Sequence, residues 1–481
     1  MSEKIAWATY FSDQQGIISM YKYVEVDRYM EKRLVSKSLD DNIHCMNSIL
    51  PVEDSFDIIR RDMIVGERRC SFFYINGFIK DEVMRDIMAN MHWIKSDEMP
   101  DTATEFSERF IPHVDVTAAG DFEQITTQVL SGLLCLFVDG YEAGFMLDLR
   151  SYPTRGIDEP ENDKSLRGPR DGFVETIVSN TAMIRRRIRD PKLVIKIESV
   201  GRSSQTDVAI CYMEGRVEDK IRELIINKIK NLDLGELKMS QQTLAEALIS
   251  RKRFNPFPKY KFTERPDTAA ACLFEGKVVI LVDNSPSALI LPTSILDIIE
   301  EPNDYYFPTV TALYLKTTRI LITLVTIFLI PAFMLFMKNP TWFPDAFHFI
   351  EIKDEMNLPL IWQFLIWELA IDGLRLASLS TPSMLSTPLS VLAGIVMGEY
   401  SVRSGWFNSE VMLYMAFVAV ANYTQPNFEL GYALKFMRLI LMVLTAIFNL
   451  TGFIIGSIFV VIVIITNRTI IPRSFLDIRR N

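Results

Sequence analysis

The sequence predicts an α/β cytoplasmic domain, two lobes of mixed sheet and helices, followed by an all-α polytopic membrane domain of five or six segments. Three observations carry that expectation. Of a formal net charge of −9 over 481 residues, residues 311–481 contribute +2, with 12 basic and 10 acidic side chains, so residues 1–310 carry −11. Long uncharged stretches begin only at Ile320. Before that point, short β-branched runs alternate with amphipathic stretches, as in packed layers of sheet and helix.

In chain order, helices are expected at residues 40–49, 80–91, 122–131, 172–189, 218–230 and 240–250, where apolar positions recur at helical spacing. Strands are expected at 70–78, 133–138, 144–149, 193–197, 208–213, 270–274, 278–282 and 288–291, with Glu275-Gly276-Lys277 as a hairpin turn. The loop-rich stretch SYPTRGIDEPENDKSLRGP, residues 151–169, separates the lobes. This gives an N-terminal extension at 1–38, lobes at 39–165 and 166–308, a transmembrane helical domain at 309–471 and a tail at 472–481.

Residues 320–337 (ILITLVTIFLIPAFMLFM) contain eighteen residues and no charge, which as a helix span roughly 27 Å at 1.5 Å per residue. Pro331 lies inside this run and frees a carbonyl that a neighbour must satisfy. Residues 358–374 are apolar but interrupted. Residues 376–398 are uncharged but hold Pro382 and Pro388, and 406–426 carry only Glu410. Residues 439–467 have no charge, with Asn449-Leu450-Thr451-Gly452 near the middle, and fit either one tilted span or a tight hairpin. Lys316 and Arg319 before the first span, and Arg468, Arg473, Arg479 and Arg480 after the last, place both ends on the cytoplasmic side.

Composition excludes several functions. An acidic soluble region lacks the basic face that phosphates require, so nucleic acid is not an expected partner. Five widely spaced cysteines, Cys45, Cys70, Cys135, Cys211 and Cys272, read as buried thiols of a reducing compartment. With four histidines and no CxxC or HExxH, no metal site or cofactor is expected. The first thirty residues hold Glu3, Lys4, Asp13, Lys22, Glu25 and Asp27 without an apolar core, so no cleavable leader is expected. No Walker loop, dinucleotide fingerprint, GxSxG or kinase set appears, and an enzyme is not expected.

Charge inside the apolar region is the sharpest functional signal. Glu368, Asp372 and Arg375 follow i+4 and i+3 spacing and share one helix face. An unpaired group there costs on the order of 3 kcal/mol, so such residues pair or line a wet path. Three readings remain open: a helix-to-helix salt bridge, a cation path or proton relay with Arg375 as partner of the acids, or an amphipathic helix at the membrane surface. Glu399, Arg403, Glu410, Glu429, Lys435 and Arg438 sit near the ends of apolar runs and are expected at the interface.

In the soluble region, LFVDGYEAGFML (136–147) faintly echoes ILVDNSPSALIL (280–291), as two similar β-turns do. Asp139 and Asp283 are either turn residues or edges of a ligand cleft. Arg167 and Arg170 precede a helix that ends with Arg185, Arg186, Arg187 and Arg189 before Pro191. They suit an interdomain or solvated salt-bridge face at a helix carboxy terminus, or a subunit or anion contact.

RGPRDGFVETIVSNTAMIRRRIRDP (167–191), FTERPD (262–267), VDNSPSALILPT (282–293), QFLIWELAIDGLRLASLSTP (363–382) and PNFELGYALKFMRL (426–439) together resemble the A subunits of GerA-type spore germinant receptors. The resemblance runs from about residue 36 to 469, and IRRRIRDP with the short tail resembles the stage V sporulation protein AF branch. It implies a multi-pass protein of the spore inner membrane, with its amino-terminal domain facing the spore core. It also implies a homo-oligomer, a pentamer in the family, that conducts monovalent cations during germination beside a B-type integral membrane subunit and often a C-type lipoprotein. The AF-like branch implies amplification of ion release rather than nutrient recognition. A conducting subunit and a non-conducting receptor or scaffold both remain open on the residues.

Overall fold

Two antiparallel five-stranded sheets with the same strand order precede the first long apolar helix. The first is built from α1 (Leu39–Ile49), β1 (Ile58–Val65), β2 (Arg68–Ile75), α2 (Asp81–His92), α3 (Ala103–Phe110), β3 (Val116–Ala119), α4 (Phe122–Leu130), β4 (Leu134–Val138) and β5 (Gly144–Leu147). The second comprises α5 (Ile177–Arg187), β6 (Leu193–Val200), β7 (Thr206–Met213), α6 (Asp219–Lys230), α7 (Ser240–Leu248), β8 (Lys261–Thr263), α8 (Pro266–Phe274), β9 (Val278–Val282) and β10 (Ala288–Leu291). The orders are β1-β2-β4-β5-β3 and β6-β7-β9-β10-β8. Element for element, one plan is used twice.

This computed structural model describes residues 33–111, 115–152, 166–248, 255–342, 350–352, 354–380, 391 and 394–467. Most of the expected N-terminal extension, most of the interlobe loop, Pro382, Pro388 and the basic tail at Arg468, Arg473, Arg479 and Arg480 lie outside the described residues. The chain divides into one unit of Met1–Pro153 with Arg185–Val194 and another of Thr154–Ile184 with Ile195–Asn481.

Side-chain chemistry explains the strand positions. Central strands β4 (LCLFV) and β9 (VVILV) are buried at every residue, whereas edge strand β1 (IIRRDMIV) exposes Arg60, Arg61 and Asp62, charges that discourage pairing with another chain. The first core packs Phe72, Leu136, Phe145 and Leu147 of the sheet with Ile87, Met91 and Phe106 of the helices. Each such side chain contributes about 1.5–3 kcal/mol on burial.

One element differs in kind from expectation. Residues 270–274 form the end of helix α8, not a strand. Pro266 sits at its first turn with Asp267 beside it, and Ala269, Ala270 and Ala271 favour helix. Glu275-Gly276-Lys277 is accordingly a helix stop. Gly276 N–H donates to Leu273 O at 3.0 Å and Lys277 N–H to Cys272 O at 3.1 Å, the paired closure of a Schellman turn. Gly276 has φ +81°, and a β-carbon there would lie 2.5 Å from the Arg216 carbonyl oxygen. Strands β1, β3 and β8 were not expected. Two of them are short, and β1 interrupts its apolar pattern with charge.

Beyond β10 come α9 (Ile295–Ile299), α10 (Asn303–Tyr306), α11 (Thr309–Lys338), α12 (Leu360–Ser380), α13 (Ser409–Tyr423) and α14 (Phe428–Ile465). Among the described residues two helices, α11 and α14, pass as membrane spans by length and composition, in place of the five or six segments expected, and the 38 residues of α14 are two shorter arms joined at Asn449. Helix α12 has 21 residues but carries Glu368, Asp372 and Arg375, and α13 has only 15. Helix α14 is a hairpin in fact, the second of the two alternatives. Asn449 adopts φ 52° and ψ −130°, and a β-carbon on Gly452 would fall 1.9 Å from Leu444 O. A straight helix separates residues eight positions apart by roughly 12 Å. Asn339 and Asn449 exchange side-chain amide hydrogen bonds at 2.8 and 3.1 Å across the tip. At the base, Asn255 donates to Val463 O and Asn467 to Pro258 O.

Candidate functional site

The acid stripe of α12 meets a basic stripe on α14. Glu368 accepts from Arg438 through Nε at 2.8 Å and Nη2 at 2.5 Å. Its other oxygen lies 3.2 Å from Lys435 Nζ. Lys435 also reaches Asp372 at 2.5 Å and donates to the Glu368 carbonyl at 3.1 Å. Arg438 Nη1 donates to Thr326 O of α11 at 3.3 Å, in the turn before Pro331. Two acids and two bases balance, and Glu368, Lys435 and Arg438 are buried. Asp372 is the outlier, with 31% of its side chain exposed. The acids are i and i+4 on one helix and the bases i and i+3 on the other, so a single face-to-face packing matches both pairs.

Lys435 and Arg438, expected at the membrane interface, are instead buried against α12, where each finds a carboxylate. Arg375 does not partner the acids. Its guanidinium lies 5.1, 4.9 and 5.3 Å from the rings of Tyr423, Phe428 and Tyr432. Spacing put Arg375 on the acid face, but Lys435 takes the place beside Asp372. The missed signal was a second helix whose basic pair has complementary spacing.

Of the candidates that precede α11, Asp139, Asp283 and Arg185 each have partners in the structure. Asp139 Oδ1 accepts from Leu39 N–H at 3.0 Å and Asp283 Oδ1 from Ile177 N–H at 3.1 Å, each at the first residue of a helix. Each carboxylate thus satisfies an orphan donor and faces the positive end of a helix dipole. The likeness extends further. Asn42 exchanges two hydrogen bonds with the backbone of Ser36, and Asn180 does so with Val174, six residues upstream in both cases. The echo of two β-turns is part of the repeated plan.

The arginines are not one face. Arg185 is fully buried, and its Nε and Nη2 hold Asp57 at 2.5 and 3.1 Å. It also donates to Asp190 O and Leu193 O. Arg186 stacks on Tyr152 with 4.5 Å to the ring centroid, and exposed Arg189 reaches Ser131. Arg187 is half-buried, Arg170 is exposed, and exposed Arg167 stands 5.9 Å from the Phe307 ring. Buried Cys70 has its thiol pushed up to about 12 by burial, and Cys135 is raised likewise. No group of three or more metal-ligating side chains occurs among the described residues.

The model of the Bacillus/Clostridium GerA spore germination protein family matches residues 46–476, both sheets and the helical region together. The chain belongs to the GerA family. It is 34% identical over 431 residues to stage V sporulation protein AF of Bacillus subtilis (strain 168), covering 89% of this chain and 87% of that protein. Spore germination protein A1 of the same organism is 27% identical over 429 residues, covering 88% and 87%. A crystal structure of the N-terminal domain of the A subunit of the Bacillus megaterium spore germinant receptor GerK3 aligns at 26% identity and TM-score 0.41, covering 54% of this chain and 97% of that one.

In this GerA-family chain a second charged cluster sits where the second sheet's last elements meet α11. Arg319 Nη1 donates to Ile299 O at 2.8 Å and Asp304 at 2.9 Å, while Nη2 reaches Glu301 at 3.1 Å. Lys316 holds Glu300 at 2.9 Å, and Tyr305 donates to the same carboxylate. The two cations before the first span, Lys316 and Arg319, are thus paired with acids. Burial alone would raise Glu300, yet Lys316 keeps it below the usual glutamate range. Asp267 behaves alike: hydrogen bonds from Arg265 and Tyr306 outweigh burial and lower it, while burial and Asp267 push Tyr306 up to about 12.

Proposed function

We propose that this GerA-family protein is an oligomeric membrane subunit that mediates or amplifies monovalent cation release during spore germination. Its place is the spore inner membrane, with the two sheets on the core side and a B-type membrane subunit as partner. Asp372 carries this reading. It is a carboxylate with about a third of its side chain exposed (31%) on an apolar helix, between outward-facing Leu369 and Leu376. An acid in that position needs water or protein beside it, and a ring of copies repeating Asp372 around an axis supplies both. Glu368, by contrast, is held by two cations and serves as a clamp.

Reconstitution of the full-length chain in liposomes tests this. Efflux of potassium or rubidium in excess of chloride supports conduction by the chain. A second reading, a non-conducting scaffold or receptor subunit, is favoured by the sealing of Glu368 within its own chain. Absence of efflux from the chain alone, where a complex with a B-type subunit conducts, decides for the scaffold.

A further inference from the structure

We propose that Arg375 anchors a binding site for the phosphate of a phospholipid head group, at the end of the helical region where α12 and α13 finish and α14 begins. Arg375 is nine-tenths buried, with 9% exposure. Its Nε has no hydrogen-bond partner among the described residues, and the acids one and two turns away, Asp372 and Glu368, are taken by Lys435 and Arg438. Three rings surround it, those of Tyr423, Phe428 and Tyr432, and the Tyr432 and Tyr423 hydroxyls accept hydrogen bonds from it. Ring faces and phenols soften the burial of a cation, but they do not balance its charge. Among the described residues no carboxylate pairs with Arg375, which leaves its charge open to an anion from outside.

The setting selects a lipid phosphate. Tyr423 is the last residue of α13 and Phe428 the first of α14, and both are strongly exposed. Aromatic side chains at helix ends with arginine between them suit the level at which head groups lie. The exposed flank of α14, including Ile447, Ile454, Ile458 and Ile462, gives acyl chains an apolar surface. The planar guanidinium matches phosphate oxygens in a two-point hydrogen bond.

The inference rests on the membrane reading above, and the test separates the two. The full-length protein in lipid-depleted detergent is heated with phosphatidylglycerol, with a diglycosyl diacylglycerol of the same chains, or with inorganic phosphate. Phosphatidylglycerol is expected to raise Tm by several degrees, the glycolipid by clearly less and inorganic phosphate not at all. In Arg375→Gln the two lipids should become equivalent, and Arg375→Lys should keep part of the preference. Equal shifts by both lipids in the wild type, or an undiminished preference in Arg375→Gln, overturn the site, and a matching shift from inorganic phosphate overturns its assignment to lipid. If Arg375→Gln does not fold, a photoactivatable phospholipid on the wild type decides. Labelling within residues 423–432 supports the site, and labelling only elsewhere removes it. Flotation of the protein with liposomes, together with no phosphate preference, leaves the membrane reading standing and sinks this site alone.

Discussion

The chain buries charge in two ways, and the contrast separates a structural lock from a candidate working site. Around the first sheet, Asp57 and Arg185 are both fully shielded, at 0% exposure. Ser55 donates to Asp57, and two backbone carbonyls take two further guanidinium hydrogens. Neither side chain has any exposed surface, so the pair is out of a ligand's reach. Between α12 and α14 the charges also balance, but the cluster is open at one end because Asp372 is only partly covered. Closure, more than charge count, distinguishes the two.

The largest effect is expected from opening the closed pair. Asp57→Ala leaves the Arg185 guanidinium buried without its anion and should cost about 3–5 kcal/mol, measured by chemical unfolding of the full-length protein. Replacing both partners with apolar residues of similar volume should cost much less, because no charge is stranded. A loss below about 1 kcal/mol for Asp57→Ala would show that water reaches the pair. Glu368→Gln comes next, at about 2–3 kcal/mol. Arg438 then loses an anion but keeps Thr326 O, and Lys435 keeps Asp372. An effect on Glu368→Gln as large as on Asp57→Ala would erase the distinction drawn between the clusters.

The same contrast explains what could be read from sequence. Strands β9 and β10 matched their expected bounds because VVILV and ALIL are continuous apolar runs bounded by turn residues. Helix α8 was misread because ACLF looks like a strand when Pro266 and the alanines before it are ignored. The twofold repetition of the sheet plan was almost hidden. Its markers are hydrogen bonds at single positions, Asp139 with Asp283 and Asn42 with Asn180, and these leave only a faint echo in the residues between them. Glu368 and Asp372 announced themselves by helical spacing within an apolar run. Their true partners did not, because Lys435 and Arg438 lie more than sixty positions away and only the packing of α14 on α12 brings them in. Asp57, 128 residues from Arg185, was invisible for the same reason.

A graded case lies between the extremes, in three mostly covered acids on the helical elements that accompany and follow the second sheet. Burial would raise Asp267, Asp297 and Glu300, but cationic partners, Arg265, Lys277 and Lys316 respectively, hold all three below their ordinary values. A carboxylate lowered in the folded state adds stability that is complete above its unfolded pKa, about 4. That stability is lost as pH falls through the lowered folded value. Thermal unfolding of the full-length protein should therefore be level between pH 7 and 5 and fall progressively below about pH 4. Asp267→Asn should lower Tm at neutral pH and flatten part of that acid limb. An unchanged acid limb in Asp267→Asn would place the pH dependence elsewhere.

The smallest effect on stability is expected at the open end of the helical cluster, and there the comparison is sharpest. Among the described residues Asp372 pairs with Lys435 alone and stays partly exposed, so Asp372→Asn should change unfolding free energy by only about 0.5 kcal/mol. Lys435 retains Glu368 and the Glu368 carbonyl as acceptors, which keeps the fold intact. If Asp372 lines a hydrated passage between copies, removing its charge should lower the preference for potassium over chloride in liposome efflux while assembly is unchanged. If the cluster only clamps α12 to α14, efflux selectivity should be the same in Asp372→Asn and wild type. A variant with normal stability and altered selectivity marks an open cluster put to use, whereas one with lowered stability and unaltered selectivity marks a second lock like that of Asp57 and Arg185.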